Sequence, residues 1–195
     1  MRKEQIAIDI VLLLPPEIVE LCNELNKESD KEKYVSFGDG NNPHISLAMG
    51  AIALSDLKDL EMKIRSIFNG CSTLSLEVSN LKIDGYTYEF TISKTPELLD
   101  LHDKCFRVLQ EYLSENLEMS MFNELEKIND TTLYWVEKFP KDSVGLNYKP
   151  HITLGVGHPN SVLSFPIKFS VVKSGIFQLG PYCTCKKLLV NLSLK

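Results

Sequence analysis

Pro43-His44-Ile45-Ser46-Leu47 and Pro150-His151-Ile152-Thr153-Leu154 are near copies of one five-residue frame. The chain holds 4 histidines in 195 residues, and two of them occupy the same place in this frame, in separate halves of the sequence. Side chains alternate between the two faces of a strand, so His44 and Ser46 share one face while Ile45 and Leu47 take the other. The same alternation puts His151 and Thr153 together, opposite Ile152 and Leu154. Each frame therefore reads as a short strand that buries its aliphatic residues and offers one imidazole and one hydroxyl on an open face.

Outward from the two frames, the chain reads as a partial repeat. Residues 6–14 are rich in Ile, Val and Leu and read as a first strand. Pro15-Pro16 then starts a helix with Ile18, Leu21, Cys22 and Leu25 on one side, the i, i+3, i+4, i+7 pattern. A polar loop over 27–42 leads into the first His strand, and a helix capped by Ser55 follows it. Strands over 74–81 and 86–93 turn around Asp84-Gly85. The second copy then begins: Thr95-Pro96 starts a helix with Leu98, Leu101, Cys105, Val108 and Tyr112 on one stripe, and the second His strand comes later. About 25 residues, 118–142, are inserted before it, a length that suggests a lid or specificity element with some helix of its own. Strands over 167–177 and 186–194 close the chain. The expected fold class is α+β: a bilobal, internally duplicated domain over 1–195, with antiparallel sheets forming a central cleft and helices outside. Its intertwined lobes are expected near 1–85 and 86–195.

Composition narrows the function classes. Hydrophobic residues make up 44% and charged residues 24%, as in ordinary globular domains, which excludes disorder and coiled coil. The net charge of -5 argues against a broad nonspecific nucleic-acid binder. That charge is uneven, because residues 146–195 contain six lysines and no Asp or Glu, a local pointer to an anionic ligand. No apolar run is long enough for a membrane helix. Met1-Arg2-Lys3 with the apolar stretch after it mimics a signal peptide, but Glu4 and Asp9 interrupt it and no small-residue cleavage pattern follows. The 5 cysteines, an odd count without C-x-x-C spacing, read as free thiols of a reducing, cytoplasmic compartment.

Two imidazoles and two hydroxyls converging on one cleft suit a phosphoester. Hydroxyls donate to non-bridging oxygens, while the imidazoles serve as general base and general acid at opposite ends of an in-line displacement. A pKa near 6.5 suits imidazole to both tasks. Lys149 offers positive charge beside the second frame or is a solvated loop lysine, and Tyr148 and Tyr182 either offer rings for stacking on a base or pack as apolar bulk in the core or at its rim. His102, inside a helix, reads as a partly exposed structural residue, and His158 as a turn residue. No metal is expected, because the frames lack a third ligand at metal spacing. No G-x-S-x-G elbow marks a nucleophilic serine.

The paired frames resemble the 2H phosphoesterase superfamily, which includes the 2′-5′ RNA ligase-like proteins and the 2′,3′-cyclic phosphodiesterases. Its two H-x-[ST] motifs match His44-x-Ser46 and His151-x-Thr153, and Tyr148-Lys149-Pro150-His151-Ile152-Thr153-Leu154-Gly155 is especially similar to the family's second motif. The resemblance spans essentially the whole chain. It implies metal-independent opening of 2′,3′-cyclic phosphates on RNA ends or small cyclic nucleotides, without cofactor, by a monomer. Ser46 and Thr153 would bind phosphate, with His151 as base and His44 as acid, although the near-symmetric frames do not themselves distinguish these roles. A noncatalytic RNA-end or nucleotide-binding module of the same fold, and a 2′-5′ RNA ligase or 2′-5′ phosphodiesterase, remain alternatives.

Overall fold

The computed structural model describes residues 4–30, 34–38 and 40–195. The basic start Met1-Arg2-Lys3 and positions 31–33 and 39 of the polar loop lie outside the described residues. In chain order the elements are β1 (Gln5–Leu13), α1 (Pro16–Asn26), β2 (His44–Ala53), α2 (Leu57–Asn69), β3 (Leu74–Asp84), β4 (Thr87–Ile92), α3 (Pro96–Gln110), α4 (Asp130–Asp142), β5 (His151–Val156), β6 (Ile167–Val171), β7 (Lys173–Leu179) and β8 (Cys185–Ser193). They form two antiparallel four-stranded sheets, ordered β2-β1-β7-β8 and β5-β4-β3-β6. Each His strand is an edge strand of its sheet. The first sheet also curls, because Asn42, just ahead of β2, bridges to Cys185 at the start of β8.

Local chemistry explains most of the boundaries. Proline at the first position of α1 and α3 removes an N–H that would have no partner there. Thr95 caps α3 by accepting from the Leu98 amide at 3.2 Å, and Asn129 caps α4 by accepting from the Thr132 amide at 3.0 Å. Ser55 does not cap α2. It lies in a 3-10 turn, Leu54–Asp56, that intervenes before the helix, and its hydroxyl donates to Asp56. The apolar run after residue 167 is not one strand either. It breaks at Val172 into β6 and β7, which belong to different sheets. The sheets thus draw strands from both sides of residue 85: β3 joins β4, β5 and β6, while β7 and β8 return to β1 and β2.

Both His strands carry a bulge at the same place. In β2 the register passes from Ser46 opposite Val11 to Ala48 opposite Ile10, leaving Leu47 as the extra residue. In β5 it passes from Thr153 opposite Glu89 to Gly155 opposite Tyr88, leaving Leu154. A bulge takes a backbone group out of the ladder. Here each extra residue's carbonyl is held by a side chain from the other copy's helix. Asn26, at the end of α1, donates from Nδ2 to Leu154 O at 2.8 Å, and His102 of α3 bonds through Nδ1 to Leu47 O at 2.7 Å. The helices are therefore exchanged across the two copies. Further contacts lock α1 onto β4 and β5: Tyr88 Oη donates to Leu25 O at 2.7 Å, and the Val156 amide donates to Ser29 Oγ at 2.9 Å.

One core runs through both sheets, with Ile8, Ile10, Ile45 and Leu47 from the first and Phe90, Ile152 and Leu154 from the second. The insertion over 118–142 is largely ordered by a separate small cluster. Met121, Phe122, Ile128, Val136 and Phe139 pack on Ala7, Met49, Ala51 and Leu179, residues on the face of the first sheet away from the main core. Burying each large side chain there contributes roughly 1.5–3 kcal/mol, enough to hold α4 against β2.

Removing either bulge acceptor's partner leaves a buried carbonyl unbonded. Asn26→Ala and His102→Ala are each expected to lower the unfolding free energy by about 2–4 kcal/mol, from the lost bond and the cavity together. Urea denaturation followed by circular dichroism checks this, and a loss below about 1 kcal/mol would remove the bulge anchors from their structural role.

Candidate active site

The two edge strands meet where the sheets join, and a hydroxyl spans the junction: Tyr148, just before β5, donates from Oη to Ser46 O in β2 at 2.8 Å. His44 and His151 stand on either side of this contact and repeat each other's anchoring. His44 Nδ1 bonds to the carbonyl of Asn42 at 2.8 Å, and His151 Nδ1 bonds to that of Lys149 at 2.8 Å, in each case two residues back. A carbonyl can only accept, so both rings carry their proton on Nδ1 and turn Nε2 toward the cleft. The proline between each His and its acceptor has no amide hydrogen and a constrained backbone, which suits this tight return.

Each Nε2 also faces a carboxylate from the adjacent strand. His44 Nε2 lies 3.7 Å from Asp9 Oδ2, and His151 Nε2 lies 3.8 Å from Glu89 Oε2. The surroundings differ sharply. The His44 side chain is 16% exposed and that of Asp9 is fully buried, whereas the His151 side chain is 43% exposed. Burial, opposed by the bond to Asn42 and helped by the charge of the nearby His151, pushes His44 down to about 4. Burial also raises Asp9 well above the usual carboxylate range, against the bond from Ser46. Both groups are thus held toward their neutral forms.

The structure brings four of the expected residues together: His44 and Ser46 on β2, His151 and Thr153 on β5. Ser46 Oγ is bonded to Asp9 Oδ2 at 2.6 Å, while among the described residues no side chain holds the Thr153 hydroxyl. Lys149 is exposed beside the second frame, where its charge reaches Asp84. Tyr148 does not offer a ring for stacking. It is 2% exposed and lies flat on His102, with ring centroids 3.8 Å apart, so it is a core residue that fixes the junction of the strands. Tyr182 sits in the turn before β8, its ring tilted against Tyr34 at 5.6 Å and its amide donating to Thr132 of α4. His102 is fully buried rather than partly exposed, because both ring nitrogens are bonded: Nδ1 to Leu47 O, and Nε2 accepts from the Gly145 amide at 3.2 Å. His158 is exposed.

Asp9 is the residue that sequence reasoning passed over. It interrupts the apolar β1 run, and that alone was a signal, since a carboxylate pointing into a protein needs a partner or a purpose. Glu89 carries a similar but weaker mark, as a charged residue alternating with Tyr88 and Phe90.

Two antiparallel four-stranded sheets that meet at edge strands, with helices packed on them, are the fold of LigT and similar solved structures, and this chain has that fold. E. coli LigT in its apo form superposes with a TM-score of 0.59 over 98% of this chain and 99% of its own, at 14% identity. The protein TT0787 of Thermus thermophilus gives a TM-score of 0.63 over 97% and 98%, at 15% identity. A protein described only as a phosphoesterase gives 0.57 over 97% and 98%, at 12% identity. The LigT structures include complexes with phosphate and with 3′-AMP. No family model matches the sequence, and no curated protein matches it. Among the described residues, no helix is long and apolar enough to cross a membrane.

The depressed His44 pKa has a definite sign in stability. The unfolded chain takes up this proton near 6.5 and the folded chain near 4, so acidification from about 6.5 to about 4 destabilises the fold through this residue. In chelated buffer, proton NMR of the imidazole ring of His44 is expected to show titration near pH 4, with the resonance assigned through His44→Gln. A midpoint at about 6 or above, close to that of a free imidazole, would show that the ring is not held neutral by burial.

Proposed function

We propose that this protein is a phosphoesterase that opens 2′,3′-cyclic phosphates of nucleotides or short RNA ends by two-histidine acid–base chemistry, without a metal. The observation that carries this reading is the pair of imidazoles anchored alike through Nδ1 and turned with Nε2 toward one cleft, each with a hydroxyl two residues on. The fold shared with LigT, which has been solved with phosphate and with 3′-AMP, supports a nucleotide-sized phosphate ligand.

The electrostatics favour a division of labour opposite to the family precedent. His44, neutral at pH 7 with its proton held on Nδ1, presents a bare lone pair at Nε2. That is the form of a general base. It takes a proton from water as the oxygen attacks phosphorus, and the neighbouring Asp9, itself held toward its neutral form, adds no charge that would bias the ring to protonate early. On the other side, His151 Nε2 lies 3.8 Å from Glu89 Oε2 in a more exposed setting, and it is left the role of general acid, whose proton goes to the leaving group. His151 delivers that proton to the departing ribose oxygen as its bond to phosphorus breaks. The product is a nucleoside or RNA phosphomonoester, and the two rings exchange protonation states over the step.

The hydroxyls bind the non-bridging oxygens. Thr153 is free to donate. Ser46 is tied to Asp9, but a neutral Asp9 can supply the proton of that bond, and Ser46 then turns its own hydrogen toward the phosphate. Donors placed in advance act most strongly where charge develops in the transition state. The insertion, packed on the first sheet at one end of the cleft, is the element that would discriminate among substrates.

Phosphorus NMR with 2′,3′-cyclic nucleotides and a short RNA ending in a cyclic phosphate, in chelator, tests the reading. Ring opening is expected, with His44→Ala and His151→Ala each slower by at least about 100-fold. Ligand binding without turnover would favour a noncatalytic nucleotide-binding module. The pH profile separates the two assignments. With His44 as base, the acid limb of kcat/KM, which reports the free enzyme, is expected to fall through about pH 4. A limb in the ordinary imidazole range, about 6.5, that disappears with His151→Ala would return the base to His151.

A further inference from the structure

We propose that Asp9, His44 and Cys185 form a binding site for a borderline-soft divalent cation of the zinc type. Their donor atoms, one from each of three strands of the curled sheet, all lie within 4.8 Å of one another. The Asp9 Oδ2 to His44 Nε2 separation of 3.7 Å is near the roughly 3.4 Å expected for two donors on one tetrahedral zinc with bonds of about 2.0–2.1 Å. Small side-chain rotations close the difference.

Three further features of the cluster match a metal site. The first is the orientation of His44. A ligating histidine characteristically gives its other N–H to a backbone carbonyl, which sets the tautomer, and His44 does this with Asn42 O. Asn42 is also the residue whose backbone bridges to Cys185, so the group that orients the imidazole and the residue that bears the thiol belong to one backbone pair. The second is Asp9 Oδ1, which is buried and, among the described residues, has no hydrogen-bond partner. An unbonded buried carboxyl oxygen is costly, and a cation held by this carboxylate would offset that cost. The third is charge. A carboxylate, a thiolate and a neutral imidazole around a divalent cation sum to zero, which suits a site where Asp9 and Cys185 are both fully buried.

The donor set selects the ion. Thiolate with imidazole favours zinc over magnesium or calcium, which take oxygen ligands. Three protein ligands leave a position on the cleft side, where His44 is partly exposed, for water or a phosphate oxygen. Among the described residues the second copy has no equivalent, since His151 Nε2 faces Glu89 and no cysteine. A cation on His44 Nε2 occupies the lone pair that would accept the proton of the attacking water. Zinc therefore competes with turnover, a consequence that rests on the proposed function, whereas the site itself does not.

Cobalt tests the site without reference to activity. Metal-free full-length protein titrated with Co²⁺ is expected to develop a thiolate-to-cobalt charge-transfer band in the near ultraviolet, with an end point at one equivalent and loss of the band on adding Zn²⁺. Cys185→Ser should abolish the band and Cys183→Ser should retain it. Asp9→Asn should weaken zinc binding at least about tenfold. Circular dichroism of each variant establishes that it is folded. Absence of the band in the parent, its survival in Cys185→Ser, or zinc affinity unchanged by Asp9→Asn would each overturn the site. In the ring-opening assay, one equivalent of Zn²⁺ should suppress turnover and chelator should restore it. A cobalt band that forms as expected while zinc leaves turnover unchanged would overturn the competition and remove His44 from the base role.

Discussion

The architecture depends on two backbone carbonyls, those of Leu47 and Leu154. Each belongs to the extra residue of a bulge that immediately follows a His-x-hydroxyl pair, and each is buried. A carbonyl taken out of a ladder inside a protein needs another donor. Here the donors cross over: Asn26 of α1 serves the second copy's strand and His102 of α3 serves the first. Two edge strands that share no ladder are thereby tied into one body, and the imidazoles preceding the bulges acquire a common cleft.

The same exchange explains the stack of His102 on Tyr148. His102 is oriented by Leu47 O on one nitrogen and the Gly145 amide on the other, and its ring face is covered by Tyr148, whose hydroxyl reaches Ser46 O. The carbonyls of Ser46 and Leu47 are thus both held by groups from the second half of the chain. A nearly planar stack at this distance leaves no room for a nucleobase, and that is why Tyr148 belongs to the scaffold while the cleft keeps its polar face.

The two halves are similar, and they depart from symmetry around the two histidines. Glu89 stands directly opposite Thr153, at the place that Val11 takes opposite Ser46, while the first copy's carboxylate is Asp9, two residues earlier on its strand. Asp9 is fully buried, burial of each group keeps Asp9 and His44 toward neutral forms, and the curl of the first sheet brings Cys185 beside them. In the second copy the His151 side chain is 43% exposed and that of Glu89 17%.

The sequence by itself determined the local features: the two His strands from their period of two, the helix starts from Pro16 and Pro96, and the pairing of imidazole with hydroxyl. These follow from steric rules that act over a few neighbouring residues. The apolar run broken at Val172 shows where that information ends. Both β6 and β7 satisfy strand patterning, and the change of sheet between them depends on partners distant in the chain. Asp9, His44 and Cys185 lie far apart in sequence and share no spacing, so only the curl of the first sheet makes them a cluster. Tyr148 likewise read either as a stacking ring or as core packing, and it is the helix bearing His102 that makes it core. Burial and proximity between distant segments are properties of the closed fold, and it was the tertiary structure alone that decided the charge state of His44 and the partner of Asp9.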